Sequence, residues 1–479
     1  EKGVVLTGRP RKLKGVCPRA ALAARGAAVN RSGLAHQVAM LRVMGCDAMR
    51  TAHNMPASEL MELCDEMGFM VMVEPFDEWD VAKCENGYHR FFGEWAERDM
   101  VHMLRHFRNN PSVVMWSIGN EVPTQWLPEG REVARFLQDI CHREDPTRPV
   151  TCGMDQVKAV LSNGFAEVLD IVGLNYRTHL YGDAHEALPH KLILGSETSS
   201  TVSSRGAYKF PVVKRADATY PDHQSSSYDV EYCSWSNIPD EDFALADDHD
   251  WTIGQFVWTG FDYLGEPSPY DTDAWPSHSS LFGIIDLASI PKDRYYLYRS
   301  LWNTESPTLH MLPHWTWPGR EGEVTPVFVY TNYAEAELFI NGRSQGRRAK
   351  KSDGSLMERY RLMWMDTVYE PGEVKVVAYD GAGNISAEKT VRTAGEPYAI
   401  RLVPDRDVLV ADGKDLAYVR VSIVDKDGNL CPHDGRMVEF EVSGAGSYRA
   451  AANGDAASLD LFHLPRMHAF SGELTAIVQ

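Results

Sequence analysis

Eight short apolar runs separated by amphipathic stretches fill the chain from Arg11 to about Asn303, and this alternation restricts the fold more than any other feature. A continuous apolar run of this length suits a strand buried on both faces, as in a parallel sheet covered by helices. The clearest is VVMWSIGNE, Val113 to Glu121, which stops abruptly at Gly119, Asn120 and Glu121. RKLKGVC, DAMRTAH, FMVMVEP, PVTCG, DIVGLNY, KLILGSE and IGQFVWTGFDY supply the other seven. Between them, Leu34, Val38, Leu41 and Met44 recur at helical spacing, with Asn30 or Ser32 as the cap and Gly45 as the stop. SELMELCDEMG, the stretch from Phe92 to Arg108, REVARFLQDICHRE and PKDRYYLYRSLWN read as further helices. Eight strand units with intervening helices predict a (β/α)8 TIM barrel rather than a doubly wound sheet. The segment from Tyr208 to Asp250, rich in Ser, Asp and Tyr, reads as a long loop near the barrel mouth.

After Asn303 the pattern changes to short alternating runs such as EVTPVFVYTN, EAELFING, EVKVVAYD, AYVRVSIVD and MVEFEVSG. Turn signals separate them at Asn341-Gly342, Asp380-Gly381 and Asp427-Gly428. The expected organisation is a multidomain chain: a barrel over 1–304, an immunoglobulin-like β-sandwich over 305–394 and a second one over 395–479.

At 479 residues, two or three domains are expected. A formal net charge of -19 without a basic stripe argues against nonspecific nucleic-acid binding. No apolar run approaches the roughly 20 residues of a membrane-spanning helix. Cys17, Cys46, Cys64, Cys84, Cys141, Cys152, Cys233 and Cys431 lack a tight pairing pattern, and several sit beside apolar residues, as free buried thiols do. The chain starts at Glu1 without a methionine, which reads as a cut, so periplasmic, secreted and cytoplasmic placements all stay open. Self-association into a homo-oligomer is compatible with the sequence.

Polar residues gather at the expected C-terminal ends of the strands: Arg50 and His53, Glu74, Asn120 and Glu121, Asn175 and Tyr176, Glu197, then Trp258 and Asp262. A packed core does not need charge at so many strand ends, and this is the end at which barrel enzymes keep their chemistry. Two glutamates on different strands, with aromatic and cationic neighbours, meet the requirements of glycosidic cleavage. One carboxylic acid protonates the leaving oxygen, a carboxylate attacks the anomeric carbon, and aromatic faces hold the sugar.

These residues carry a resemblance. From Lys12 to about Asn303 the chain resembles the catalytic barrel of glycoside hydrolase family 2, the β-galactosidase, β-glucuronidase and β-mannosidase group. The stretches are GCDAMRTAHNMPASELMELCDEMGFMVMVE, NPSVVMWSIGNE, LILGSETSSTVSSRG, FVWTGFDYLGEPSPY and FGIIDLASIPKDRYYLYRS, with PHWTW and VFVYTNYAEAELFINGRSQG resembling the following immunoglobulin-like domain of bacterial β-galactosidase-like members. The resemblance implies a retaining, exo-acting β-glycosidase that hydrolyses terminal β-D-galactosides by double displacement, with β-glucuronidase, β-mannosidase and a non-catalytic carbohydrate-binding relative as alternatives. It places the general acid/base on Glu121 and the nucleophile on Glu197. Asn120 would meet the sugar 2-hydroxyl, Tyr176 would donate to the nucleophile, Arg50 would hold it ionised, His53 would reach substrate hydroxyls, and Trp258 would form part of the sugar platform.

The pattern breaks after KGVC, where the family has a histidine-rich stretch and this chain has Pro18, Arg19, Ala20 and Ala21. Arg19 replaces a substrate-side histidine, and three readings stay open: a different sugar with Arg19 meeting an anionic group, a weakened enzyme, or compensation from elsewhere in the site. Val73 stands where many relatives carry an aspartate. The jelly-roll and immunoglobulin-like domains that precede the barrel in relatives are not part of this sequence. His102 and His106 have i,i+4 spacing, but the residues between them are Met103, Leu104 and Arg105, so they read as surface or packing histidines. Glycosyl transfer by two carboxylates calls for no metal and no organic cofactor, and the expected partner is the carbohydrate itself.

Overall fold

The computed structural model describes residues 3–19, 22–269 and 273–479. Glu1, Ala20, Ala21 and Tyr270, which the sequence reading invokes, lie outside them. Eight parallel strands close a barrel: β1 (Leu13–Val16), β2 (Ala48–Thr51), β3 (Met70–Val73), β4 (Val113–Asn120), β5 (Val150–Met154), β6 (Val172–Asn175), β7 (Ile193–Ser199) and β8 (Thr252–Trp258). Each pairs with its sequence neighbour, and β8 pairs with both β7 and β1, which completes the ring. The expected eight strands are all present. Five lie wholly inside the runs read from sequence; β5 runs one residue past its run to Met154, β8 begins one residue before its run at Thr252, and β7 continues past Glu197 to Ser199, so that glutamate sits within the strand.

The α-helices among the described residues are α1 (Arg31–Met44), α2 (Ser58–Met67), α3 (Phe92–Phe107), α4 (Gly130–Glu144), α5 (Val157–Ser162), α6 (Phe165–Val168), α7 (Tyr181–Ala187), α8 (Pro239–Asp248), α9 (Asp293–Trp302) and α10 (Leu356–Tyr360). Asn30, not Ser32, caps α1, its side chain accepting from the Gly33 N–H. Ser32 instead donates to Asp415 at 2.9 Å. Gly45 ends α1 at φ 94°, and a Cβ there would lie 2.4 Å from the Asn303 nitrogen, so only glycine fits. The helix α8 corrects the loop reading of 208–250. Pro239 opens it and Asp240, Glu241 and Asp242 occupy its first turn, a favourable start that its acidic, weakly periodic sequence disguises.

The chain divides into two compact units. The first, 1–20, 46–200 and 235–260, contains all eight barrel strands and α2 to α8. The second, 21–45, 201–234 and 261–479, contains α1, α9, α10 and the other sheets apart from the Val4–Leu6/Arg9–Arg11 pair, which belongs to the first. In the second unit, one antiparallel sheet joins Leu309–Leu312, Val327–Thr331 and Leu362–Trp364. Another runs Arg343–Ala349, Glu335–Ile340, Glu373–Tyr379 and Ile385–Arg392. Their facing sides share a core built on Trp315, Val329, Leu338, Trp364 and Val376. Glu335–Ile340 alternates half-buried and buried residues along its length, as a strand with one core face must. The Asn341-Gly342 turn has φ 47° and 80°, the geometry of a two-residue type I′ hairpin. A last group of strands, Ala399–Pro404, Ala417–Val424, Glu473–Val478 and Tyr448–Ala452 with the pair Met437–Glu439 and Arg466–His468, packs a separate core around Val421, Met467 and Leu474.

Asp262 is redirected by the structure. The strand β8 ends at Trp258, and the buried Asp262 carboxylate is 2.8 Å from Lys292 Nζ and accepts the Gly283 N–H at 2.7 Å. It is a structural ion pair. Arg205, from the SSRG stretch that follows Glu197, likewise ties parts of the second unit together. It donates to Asp286 at 2.6 Å and to the carbonyls of Asn453 and Phe470. Seven cysteines are buried, Cys84 is exposed, and none of the eight is in a disulfide.

Candidate active site

The C-terminal ends of the barrel strands bring Arg50, Glu74, Asn120, Asn175 and Glu197 into one buried network. Arg50 is fully buried at the end of β2. Its Nε and Nη2 donate to Glu74 at 3.0 and 2.8 Å, and its Nη1 donates to Glu197 Oε1 at 3.0 Å and to the Ser196 carbonyl at 2.7 Å. Nη2 also donates to Asn120 Oδ1 at 2.8 Å. One planar fork thus fixes groups from β3, β4 and β7. Burial alone would push the Glu74 carboxyl up, but Arg50, His53 and Ser117 outweigh it and hold Glu74 below its ordinary value.

Every letter of WSIGNE has work in this structure. Trp116 Nε1 donates to Asp145 at 2.9 Å, Ser117 Oγ to Glu74 at 2.5 Å, and Ile118 is core. Gly119 lies under Trp79, whose indole nitrogen would be 2.8 Å from an added Cβ. Asn120 Oδ1 accepts from Arg50 and Asn175, which turns its amide nitrogen toward Asp77 at 2.9 Å and His53 Nε2 at 3.4 Å. Glu121 follows in the left-handed region at φ 45°, a conformation that costs a non-glycine residue on the order of 1 kcal/mol or more.

Glu197 stands between two donors. Tyr176 donates to its Oε2 at 2.7 Å and Arg50 to its Oε1. Burial first, and the negative charge of Glu197 next, push the Tyr176 hydroxyl far above its ordinary value, so it remains a donor. Tyr176 is itself at φ 58° and rests edge-on against Trp235 with centroids 5.0 Å apart. His53 donates from Nδ1 to Glu74 at 2.7 Å, places Nε2 3.7 Å from Glu197 Oε1, and stacks on Trp258 with centroids 5.2 Å apart and planes 3° from parallel. The Arg19 guanidinium sits 5.7 Å from the centre of the same Trp258 ring. Val73 is wholly buried in β3.

Glu121 has the opposite environment. Burial first, then the charges of Glu197 and Asp155, raise its carboxyl to about 8, and Lys83 and the Asn175 amide offset this only in part. Two carboxylates in one barrel mouth are therefore held differently. Glu197 is supplied with a cation and a phenol, while Glu121 is biased to keep its proton at neutral pH.

The site residues named from sequence in the first unit, Arg19, Arg50, His53, Asn120, Glu121, Tyr176, Glu197 and Trp258, are linked through these contacts. Glu74 and Asn175 were visible as strand-end polar residues but had no assigned role. Asp77, Lys83, Asp155 and Trp235 were missed. They lie in irregular segments where no period or motif marks them, and only the closure of the barrel brings them to the mouth. His102 and His106 stack on α3, with His106 Nε2 2.9 Å from Ser58 Oγ. Among the described residues, no group of three or more His, Cys, Asp and Glu is arranged to hold an ion.

Gly153 on β5 shows how tightly the network is fitted. An added Cβ would lie 2.8 Å from Arg50 Nη2, 2.9 Å from Asn175 Oδ1 and 3.1 Å from Asn120 Oδ1. Gly153→Ala is expected to lower kcat by about 100-fold, because displacements near 1 Å carry penalties of that size. It should destabilise the barrel by about 1–3 kcal/mol. Steady-state kinetics and denaturant unfolding of the variant check both.

Residues 1–271 match the family described as "Glycosyl hydrolases family 2, TIM barrel domain". Residues 400–479 match "Glycoside hydrolase family 2 C-terminal domain 5", and 322–387 match a domain of unknown function. A protein named Beta-galactosidase BoGH2A from Bacteroides ovatus is 40% identical over 519 aligned residues, spanning 100% of this chain and 59% of that one. A beta-glucuronidase of Bacteroides fragilis is 25% identical, spanning 73% of this chain and 49% of that one. The crystal structure of a beta-glycosidase from Bacteroides vulgatus superposes with a TM-score of 0.87 at 32% identity, over 99% of this chain and 61% of that one. The chain thus spans about three fifths of the length of the first and last of these relatives.

Proposed function

Because the chain belongs to glycoside hydrolase family 2, we propose that it is the catalytic part of a retaining, exo-acting β-glycosidase, with terminal β-D-galactosides as the first substrate class. The observation that supports the reading is the contrast between the surroundings of Glu197, which accepts from Arg50 and Tyr176, and those of Glu121, which raise its carboxyl. Glu197, gripped by Arg50 and Tyr176, attacks the anomeric carbon as a carboxylate. Glu121, raised to about 8, gives its proton to the leaving oxygen. The covalent glycosyl-enzyme removes the negative charge of Glu197, the second cause of the raised value, so Glu121 loses its hold on a proton and serves as base toward water. In this reading the Asn120 amide nitrogen, held by Asp77 at 2.9 Å and 3.4 Å from His53 Nε2, meets the sugar 2-hydroxyl, and the stacked His53–Trp258 pair forms a wall for the ring.

The galactoside assignment leans on the 40% identical relative named a β-galactosidase. A uronic-acid reading has its own support in the Arg19 guanidinium over Trp258, since a cation at the sugar platform suits a carboxylate. Aryl β-galactoside, β-glucuronide and β-mannoside, tested side by side with the chain, separate these. Fastest turnover of the galactoside is expected. Preference for the glucuronide that vanishes in Arg19→Ala establishes the second reading, and binding without turnover or covalent adduct leaves only a carbohydrate-binding relative.

The raised acid has a signed consequence. The proton donor must be protonated, so kcat/KM should fall as pH rises through about 8. A pH profile with no loss of activity between about 7 and 9 contradicts the role given to Glu121.

A further inference from the structure

The loop between β3 and α3 folds around a buried carboxylate. Glu78 Oε1 accepts the Lys83 N–H at 2.9 Å, and Oε2 accepts the His89 N–H at 2.6 Å and the His89 ring N–H at 2.6 Å. Gly87 passes so close that a Cβ would lie 2.3 Å from Glu78 Oε1. This curl turns Lys83 back toward the end of β4. Its Nζ donates to Asp77 Oδ1 at 2.8 Å and to the Asn120 carbonyl at 2.7 Å. Asp77 Oδ1 in turn accepts the Asn120 side-chain N–H at 2.9 Å.

The Asn120 carbonyl belongs to the peptide bond that leads into Glu121. The N–H of that same peptide donates to the Gly153 carbonyl at 2.7 Å. Both polar atoms of one peptide are therefore held, immediately before a residue in the left-handed region. We propose that Lys83 is a positioning residue for proton transfer: it clamps the Asn120–Glu121 peptide and sets a positive charge beside the Glu121 carboxyl. This rests on the acid/base role proposed for Glu121.

The groups that face Glu121 come from several elements: the Glu197 carboxylate on β7, Asp155 after β5, the Asn175 amide on β6, the Tyr176 hydroxyl after it, and Lys83. Lys83 is the cation in that set, and it opposes the two carboxylates. Its own neighbours are Asp77 and, across Asp77, the His53 ring. A lysine that only braced its loop would contribute to folding without influencing the protonation of Glu121.

The test is the pH dependence of kcat/KM on an aryl β-glycoside that the chain turns over, for Lys83→Met, Lys83→Gln and Lys83→Arg. With the charge gone, Lys83→Met should move the basic limb to higher pH by on the order of half a unit or more and lower kcat by about 10- to 100-fold. Lys83→Gln, which keeps a donor in case the methionine variant does not fold, should move the limb in the same direction with a smaller loss in kcat. Lys83→Arg should leave the limb in place. Azide rescue of Glu121→Ala with a good leaving group is run in parallel. A stationary limb in both neutral variants, with azide rescue intact, overturns the role of Lys83 and leaves Glu121 as acid/base. Failure of azide rescue overturns the reading of Glu121 and the proposal with it.

Discussion

Glu197→Gln is expected to lower kcat on an aryl β-glycoside by on the order of 10⁴-fold or more, with the fold intact by circular dichroism. The amide keeps the size of the side chain and still accepts from Tyr176, but it cannot form the glycosyl ester. The shorter Glu197→Ala should accept azide as an external nucleophile and give the α-glycosyl azide, whereas Glu121→Ala should give the β-glycosyl azide through a normal covalent intermediate. The two products assign the two roles independently of rate. Removing the negative charge at 197 should also lower the Glu121 carboxyl from about 8 toward its ordinary range, because Glu197 is its second largest perturbation after burial.

Arg50→Met should cost the barrel about 3–5 kcal/mol and leave almost no activity. The guanidinium is fully buried and faces two carboxylates, Glu74 and Glu197. Its removal strands both charges in a site with little water, and breaking a buried pair from one side carries a penalty of that size. Lysine at this position should recover little. A single ammonium cannot reproduce the paired donation to Glu74 and also reach Glu197, Asn120 and the Ser196 carbonyl. Denaturant unfolding measures the stability loss. A change within about 1 kcal/mol together with near-normal kcat contradicts the account of this network.

The barrel was legible because buried parallel strands leave a strong mark: eight apolar runs ending in polar residues cannot easily be read as anything else. The paired glutamates were legible for the same reason, since charge at the end of an apolar strand stands out. The supporting groups were not. Lys83 and Asp77 lie in FDEWDVAKCENGY, where charge every few residues looks like a solvated loop. What gives them meaning is the turn of the loop around Glu78, a long-range consequence of the fold. Asp262 shows the reverse error. It follows β8 by four residues and looked like part of the mouth, yet its carboxylate pairs with Lys292. The short helices α5, α6 and α7 escaped because four to seven residues cannot display a helical period.

The central claim, that Glu197 forms a covalent bond to the sugar, is tested most directly by trapping. A 2-fluoro-β-galactoside with a good leaving group, incubated with the chain, slows both steps and should leave the intermediate standing. Peptide mass spectrometry should then find one added 2-fluorogalactosyl group on the peptide containing Glu197 and none on Glu197→Gln. An adduct on a different carboxylate, or turnover of the parent glycoside with no adduct and an inverted first product, would contradict the account.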